Sequence, residues 1–258
     1  MLSRLIQHLI EWLSDHVALS SAIRAADMNA VASFLKDGIL TRKSVLVKET
    51  PLLLATRLGR IKIINALLAA GVDPLECSGK AILLVSDNGN LRTLETLLKG
   101  IDTLKSIPGY PLESVNIILN RALLVSVGTG NRETCSMLLD YGASADAREE
   151  SILGLTALTS AALRGDAEIV GLLVSRNADV NALARNGWSP LMAASARGHV
   201  PVLGILLKAG ADKSMKHRYG ATSLDFAKSA KCSQAVELLS SWNEESQESG
   251  RLNRDKLA

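Results

Sequence analysis

Three glycines, Gly154, Gly187 and Gly220, follow one another at intervals of 33 residues, and a similar pattern of apolar residues comes after each of them. Two equal intervals with the same pattern indicate an internal repeat, which constrains the fold more than any single motif. Weaker copies precede these three, at residues 22–38, 50–74, 81–102 and 122–147. The chain is therefore predicted to consist of seven copies of one structural unit.

Each copy has the pattern of two short helices joined by a tight turn. In the copy that starts at Gly187, the first helix is predicted over Pro190–Ala196, with proline in the first turn, where a missing N–H leaves no bond unmade. Arg197-Gly198 forms the turn, and the second helix carries an apolar stripe that includes Val202 and ends at Gly210. One such pair cannot bury its apolar face alone, so stacked pairs with a continuous core are predicted.

The copies resemble ankyrin repeats, whose consensus reads G-x-TPLH-x-AA-x-x-GH-x-x-(I/V)-x-x-LL-x-x-GAD. The resemblance covers residues 19–242 and implies an all-α ankyrin-repeat solenoid of stacked helix-turn-helix units with short hairpin-like fingers. The matching residues include Thr50-Pro51-Leu52, Thr156-Ala157-Leu158, Ser189-Pro190-Leu191, Gly165, Gly198-His199, Leu172-Leu173, Leu206-Leu207, Ala178-Asp179 and Gly210-Ala211-Asp212.

We predict three parts in the chain. Residues 1–18 form an N-terminal amphipathic capping helix, because apolar residues recur at i, i+3, i+4 spacing from Leu2 to Val17. A helix that lies on a membrane surface is the alternative. Residues 244–258 form a polar flexible tail. Residues 19–243 form the repeat domain, in which the first and last repeats act as caps; the repeats are 19–45, 46–77, 78–112, 113–149, 150–183, 184–216 and 217–243.

The chain departs from the family consensus at one position throughout. Leu53, Thr159, Met192 and Asp225 stand where the consensus has the histidine of TPLH. The hydrogen-bond ladder that the family builds with that histidine is therefore expected to be missing, and apolar stacking is expected to stabilise the repeats instead.

The repeat spacing is interrupted between the third and fourth copies. The inter-helix glycines Gly89 and Gly130 are 41 residues apart, and the surplus lies in residues 101–116. Within this segment Pro108-Gly109-Tyr110-Pro111 is typical of a turn. A surface insertion without function is one interpretation, since loops lengthen at little cost. The other is a binding loop on which Tyr110 is an exposed anchor.

Composition narrows the class of protein. Hydrophobic residues make up 47% of the chain, which excludes a mainly disordered protein, and at only 3% aromatic residues the core must be built from Leu, Ala, Ile and Val. Three cysteines without paired spacing disfavour a disulfide framework or a zinc site and favour a reducing compartment. Because the N-terminus has no uninterrupted apolar run, we predict no transmembrane segment and a cytoplasmic protein, with secretion into a host cell as the alternative.

No motif for catalysis occurs in the chain. HExxH, GxSxG, GxxxxGK[ST] and paired CxxC are all absent. Gly128-Thr129-Gly130 resembles part of a phosphate loop but falls in the predicted inter-helix turn of the fourth repeat. The resemblance gives His199 a structural role, and Cys135 lies on an apolar stripe that predicts a buried, inert thiol. We therefore predict that the protein is not an enzyme and binds no cofactor or metal.

The resemblance also implies where a partner would bind, because ankyrin-repeat proteins use their finger tips and the concave face of their first helices. Tryptophan, tyrosine and arginine are the residue types enriched at binding hot spots. A structural role for Trp188, with the indole lying across the neighbouring finger over Leu155, is the alternative. The candidate partner-binding residues are Tyr110, Leu155, Arg164, Arg185, Trp188, Arg197, Arg218 and Tyr219.

The predicted function is a non-enzymatic protein–protein interaction module, acting as a scaffold, adaptor or stoichiometric inhibitor, in a bacterial effector or a toxin-immunity protein. Between residues 185 and 231, eight Lys and Arg outnumber two Asp, so we predict a partner with an acidic surface. Separately, we predict that the protein is a monomer. A solvated basic face is the alternative interpretation. Anion or nucleic-acid binding through this basic C-terminal third is the alternative function, disfavoured because interleaved aromatics are few.

Overall fold

The computed structural model describes residues 2–36 and 49–242, with side chains from Ser14 onward. The predicted tail at residues 244–258 lies outside what is described, and so do residues 37–48, which end the first repeat and begin the second, and the apolar side chains between Leu2 and Leu13. No helix within the described residues is both long enough and apolar enough to cross a bilayer.

The described residues form fourteen α-helices and no β-strand, and one isolated β-bridge joins Arg148 to Thr156. The helices are α1 (Leu2–Ala25), α2 (Met28–Lys36), α3 (Pro51–Arg57), α4 (Ile61–Ala69), α5 (Glu76–Asn88), α6 (Leu91–Lys105), α7 (Leu112–Thr129), α8 (Arg132–Asp140), α9 (Ala157–Arg164), α10 (Ala167–Ser175), α11 (Pro190–Arg197), α12 (Val200–Lys208), α13 (Ser223–Ser229) and α14 (Ser233–Ser241).

The chain divides into two compact units, Met1–Ile118 (unit one) and Leu119–Ala258 (unit two). In unit one, α1 packs on α2, α3 on α4 and α5 on α6, and in unit two the pairs are α9 with α10, α11 with α12 and α13 with α14. Within each unit the first helices of successive pairs contact one another, and so do the second helices. This stack of helix pairs is the predicted all-α repeat architecture.

Local signals place the helix ends. The side chains of Thr156, Ser189 and Thr222 accept a hydrogen bond from the backbone N–H three residues later, and so cap α9, α11 and α13. Gly165 and Gly198 end α9 and α11 in the left-handed conformation, which costs glycine little. The buried hydrophobic residues that the structure describes are Leu, Ile, Val and Ala, with one Met and Cys135 in addition, as the scarcity of aromatics predicts.

The residues that replace the consensus histidine form contacts within their own repeat or are buried in the core. The hydroxyl oxygens of Thr156 and Thr159 lie 2.8 Å apart, and Asp225 accepts hydrogen bonds from the backbone N–H and the hydroxyl of Thr222, which completes a capping box. Met192 is fully buried. A polar link between repeats is made instead by His199, whose Nε2 donates to the carbonyl oxygen of Leu163 at 3.2 Å.

The structure corrects two predictions about the first half of the chain. The capping helix and the first helix of repeat one are a single helix, α1, and Val17, predicted on the apolar face, is exposed. The surplus at residues 101–116 is mostly helix rather than loop, because α6 continues to Lys105 and α7 begins at Leu112. Only residues 106–111 connect the two helices, so the extra chain length was absorbed by longer helices.

Candidate functional site

Three connecting segments of unit two precede the first helices of successive repeats. We call residues 141–156 finger five, 176–189 finger six and 209–222 finger seven, after the repeat that each one starts. Backbone groups link them at their bases: the N–H of Asp179 donates to Asp146 Oδ1 at 2.8 Å, and the N–H of Asp212 donates to Asn181 Oδ1 at 2.8 Å. The fingers are therefore held in a fixed order along the stack.

Arginine side chains join the fingers further. The guanidinium of Arg148 donates to the carbonyl of Leu183 at 2.8 Å, Arg185 donates to that of Ser151 at 3.2 Å, and Arg218 donates to that of Arg185 at 2.8 Å. Arg185 and Arg218, predicted as partner-binding residues, thus also connect neighbouring fingers. Arg148 was missed by sequence reasoning, although it precedes Arg185 by 37 residues, close to the repeat length.

Trp188 lies at the end of finger six but its indole packs on the following repeat. The ring centroid is 4.8 Å from that of Phe226 on α13, and 6.0 Å from that of His217, with an edge-on geometry. The residue is half-buried, and its role in binding a partner stays a prediction. These ring contacts agree with the alternative of a structural role, with His217 of finger seven and Phe226 of α13 as neighbours of the indole.

His217 and Phe226 complete an aromatic cluster that the sequence reasoning missed. His217 lies 5.8 Å from Phe226 and 5.3 Å from Tyr219, measured between ring centroids. The cluster holds one side of Tyr219 in place, because the tyrosine ring contacts His217 while 85% of the residue stays exposed. Tyrosine presents a large amphipathic surface that loses little conformational entropy on binding, which suits such a position.

The fingers also expose aliphatic side chains. Ile152 of finger five is 95% exposed and Leu183 of finger six is 42% exposed. Leu155, the predicted residue of finger five, is half-buried, and its carbonyl accepts the N–H of Glu149 at 2.9 Å. Each finger therefore carries at least one exposed apolar side chain, and in finger five these are Ile152 and Leu153 rather than Leu155. Exposed apolar side chains on successive fingers are typical of interaction sites.

The two remaining predicted arginines lie at the opposite end of the first helices. Arg164 and Arg197 are the last residues of α9 and α11, so a helix of eight residues, about 12 Å long, separates them from the fingers. The guanidinium of Arg164 lies against Gly130 of the preceding repeat. Arg197 is exposed and makes no hydrogen bond or ion pair with any described residue. The eight predicted residues therefore do not form one cluster.

Tyr110 belongs to unit one and does not have the exposed position that was predicted. Its hydroxyl donates to Asp73 Oδ1 at 2.8 Å, and the side chain is half-buried. Burial, followed by this hydrogen bond and the charge of Asp73, raises the pKa of Tyr110 well above its usual range. The residue ties the connection between α6 and α7 to the segment that precedes α5.

The described residues offer little reactive chemistry. Among them, no group of three or more His, Cys, Asp or Glu side chains could hold a metal ion. Cys135 is buried in α8, and its burial raises the pKa of the thiol to about 12, so it stays protonated at neutral pH and is a poor nucleophile. The exposed fingers of unit two are therefore the candidate functional site.

Comparison with known proteins gives the family. A model described as ankyrin repeats (3 copies) matches residues 82–184, and a model described as ankyrin repeat matches residues 186–218, together more than half of the chain. The fold is similar to the crystal structure of the ankyrin repeat domain of Bcl-3, described as a unique member of the IkappaB protein family. The TM-score is 0.72 at 27% sequence identity, over 86% of this chain and 97% of that chain. No curated protein matches the chain.

Proposed function

This chain belongs to the ankyrin-repeat family, and we propose that it binds another protein through fingers five, six and seven. Ankyrin repeats are in general non-enzymatic protein–protein interaction modules. The partner would neither be modified nor turned over. The protein would act as a scaffold, an adaptor or a stoichiometric inhibitor, and an effector or an immunity protein of a bacterium is the role that we favour.

One observation carries the proposal. The three fingers expose Ile152, Leu183 and Tyr219, while backbone hydrogen bonds and arginine side chains hold the fingers together. A surface that is already ordered loses little conformational entropy when a partner binds. Burial of its apolar area therefore contributes to affinity with little opposing entropic cost. Exposed apolar side chains on a rigid frame are the feature that a merely solvated surface lacks.

Charge supports the same surface. Neither Arg185 nor Arg218 has a carboxylate within ion-pair distance among the described residues. Arg185 donates to the carbonyls of Glu150 and Ser151, and Arg218 donates to that of Arg185, but both guanidinium groups keep further N–H donors. A partner with acidic residues would pair with them, which favours rapid association and selects against basic partners.

Affinity capture with three forms of the full chain tests the proposal. The forms are the wild type, the double variant Ile152→Ser/Tyr219→Ser, and the control Val17→Ser, which removes an exposed apolar side chain of similar kind from unit one. Quantitative mass spectrometry should identify a protein that the wild type and the control capture and the double variant loses. If all three forms capture the same proteins in the same amounts, the fingers are not the binding site.

The stoichiometry of the purified complex then separates the modes of action. A one-to-one complex in which the partner loses its own activity indicates an inhibitor. A complex that still binds a second protein indicates an adaptor or a scaffold.

A further inference from the structure

The three fingers do not share one charge. Finger five has one arginine and three carboxylates, finger six has two arginines and one aspartate, and finger seven has three Lys or Arg and one aspartate. The formal charge therefore changes from −2 on finger five to +1 on finger six and +2 on finger seven. The basic excess that the sequence shows for this end of the chain is confined to the last two fingers.

Several of these charges are occupied within the fold. Asp146, Asp179 and Asp212 each accept a backbone N–H at the base of a finger, at 2.8, 2.9 and 2.7 Å. Arg176 pairs with a carboxylate of α8, and Lys213 donates to the carbonyl of Trp242 at the end of α14. None of these five groups needs a partner molecule to satisfy it.

The charged side chains that remain free to bind a partner are negative on finger five and positive on finger seven. Glu149 and Glu150 remain on finger five, where Glu149 accepts only the hydroxyl of Ser151 at 3.0 Å. Lys216 and Arg218 remain on finger seven, and no described carboxylate lies within ion-pair distance of either of them. Two carboxylates thus remain on finger five, where the guanidinium groups of Arg148 and Arg185 donate to backbone carbonyls, and two positive charges remain on finger seven. Exposed apolar side chains lie on all three fingers.

We propose that fingers five to seven bind a linear segment of the partner in one orientation, with basic residues of that segment against Glu149 and Glu150, apolar residues in the middle, and acidic residues against Lys216 and Arg218. This inference rests on the proposed function. Like charges repel, so the reversed orientation would place each charged end of the segment against its own sign. Charge therefore fixes the direction of the segment, and the apolar contacts with Ile152, Leu183 and Tyr219 hold it.

The size of the site fits a short segment. Packed helices lie about 8–10 Å apart, so three successive fingers span roughly 20 Å. An extended chain covers this distance with about six residues, at about 3.3 Å per residue. One apolar anchor per finger and a charged group at each end therefore fit on a single stretch of extended chain.

Selection from a phage-displayed library of random peptides about twelve residues long, with the full chain as target, tests the inference. Enriched peptides are first sorted by whether Ile152→Ser/Tyr219→Ser abolishes their binding. Those that depend on the fingers should carry basic residues at one end and acidic residues at the other. For the most enriched of them, Lys216→Glu should weaken binding about two- to fivefold at low salt, as should Glu149→Lys/Glu150→Lys, and the effect should shrink at high salt.

Lys208→Glu is the matched control, because Lys208 is an exposed lysine at the end of α12 and lies outside the fingers. It should leave peptide binding unchanged. Finger-dependent peptides that are uniformly acidic, or binding that Lys216→Glu and Lys208→Glu weaken equally, would overturn the oriented segment while the binding function stands. If no enriched peptide depends on Ile152 and Tyr219, the linear segment is wrong. The proposed function is then decided separately, by whether Ile152→Ser/Tyr219→Ser loses the partner in the affinity capture.

Discussion

Gly165 of one repeat contacts His199 of the next, and this contact predicts how much Gly165→Ala lowers the free energy of unfolding. Gly165 ends α9 with φ +80°, and a Cβ built on it would lie 2.6 Å from two atoms of the His199 ring and 2.8 Å from a third. The substitution therefore imposes two costs. The backbone is held in the left-handed region, and the imidazole must move away from the position in which it bonds to Leu163.

The two costs can be separated with Gly142→Ala. Gly142 has φ +100° and no atom within 4 Å of a built Cβ, so alanine there meets only the backbone cost, about 1–2 kcal/mol. At Gly165 the displaced imidazole loses a hydrogen bond worth about 0.5–1.5 kcal/mol and part of its packing. We expect Gly165→Ala to lower the free energy of unfolding by about 1–2 kcal/mol more than Gly142→Ala, or roughly 3–8 °C in midpoint temperature.

Chemical unfolding followed by tryptophan fluorescence measures this difference, because two of the three tryptophans, Trp188 and Trp242, lie in unit two. A double-mutant cycle with His199→Ala assigns its cause. Without the imidazole there is nothing to displace, so the excess cost of Gly165→Ala over Gly142→Ala should disappear. Equal destabilisation by the two glycine variants, or an excess that persists in the His199→Ala background, would refute the contact as the source.

Three further predictions concern single side chains. Tyr110→Phe should lower the thermal stability of unit one by about 1–2 kcal/mol, because it removes a hydrogen bond to the carboxylate of Asp73; calorimetry of both forms measures it. Lys213→Met should speed amide hydrogen exchange in α14, because Lys213 Nζ donates to the carbonyl of Trp242 at 2.6 Å and favours the negative end of that helix, a contribution of about 0.5–1.5 kcal/mol. Burial raises the pKa of Glu76 above its ordinary value of 4.5, and the charge of Asp73 adds to this shift while a hydrogen bond opposes it. The ionised carboxylate therefore destabilises the fold once the pH exceeds 4.5. Glu76→Gln should raise the unfolding midpoint at pH 7, and this gain should vanish below about pH 4.

The repeat architecture was predictable because its signals are local. Pro190 sits at the first turn of α11 and Gly198 at its end, as the sequence pattern indicates, and both act within a few residues of themselves. The connection between α6 and α7 was predicted less well. Pro108 and Pro111 mark a turn, but they do not show how far α6 continues before it, and Ile101 is buried in that continuation.

The contacts of the fingers could not be read from the sequence in the same way. Arg148 reaches Leu183, which is 35 residues away, and Trp188 packs on Phe226, which is 38 residues away. Such pairs depend on which side chain of one repeat faces the next, and the family consensus does not specify these variable positions. The positions of Trp188 and Tyr219 in the repeat therefore predicted both as binding residues. These positions could not show that the ring of Trp188 is packed and that of Tyr219 is exposed.

Because the ring of Trp188 is packed and that of Tyr219 is exposed, loss of binding in Trp188→Ala has to be interpreted differently from loss in a Tyr219 variant. Because the indole lies 4.8 Å from Phe226 and contacts His217, its removal leaves a gap beneath the finger that carries Tyr219. Binding would then be lost even if the partner never contacts Trp188, since an alanine substitution also reports reorganisation of the unbound protein. Tyr219→Ser and Ile152→Ser remove exposed side chains instead, so a loss of binding in those variants, with an unchanged unfolding midpoint, indicates direct contact with the partner.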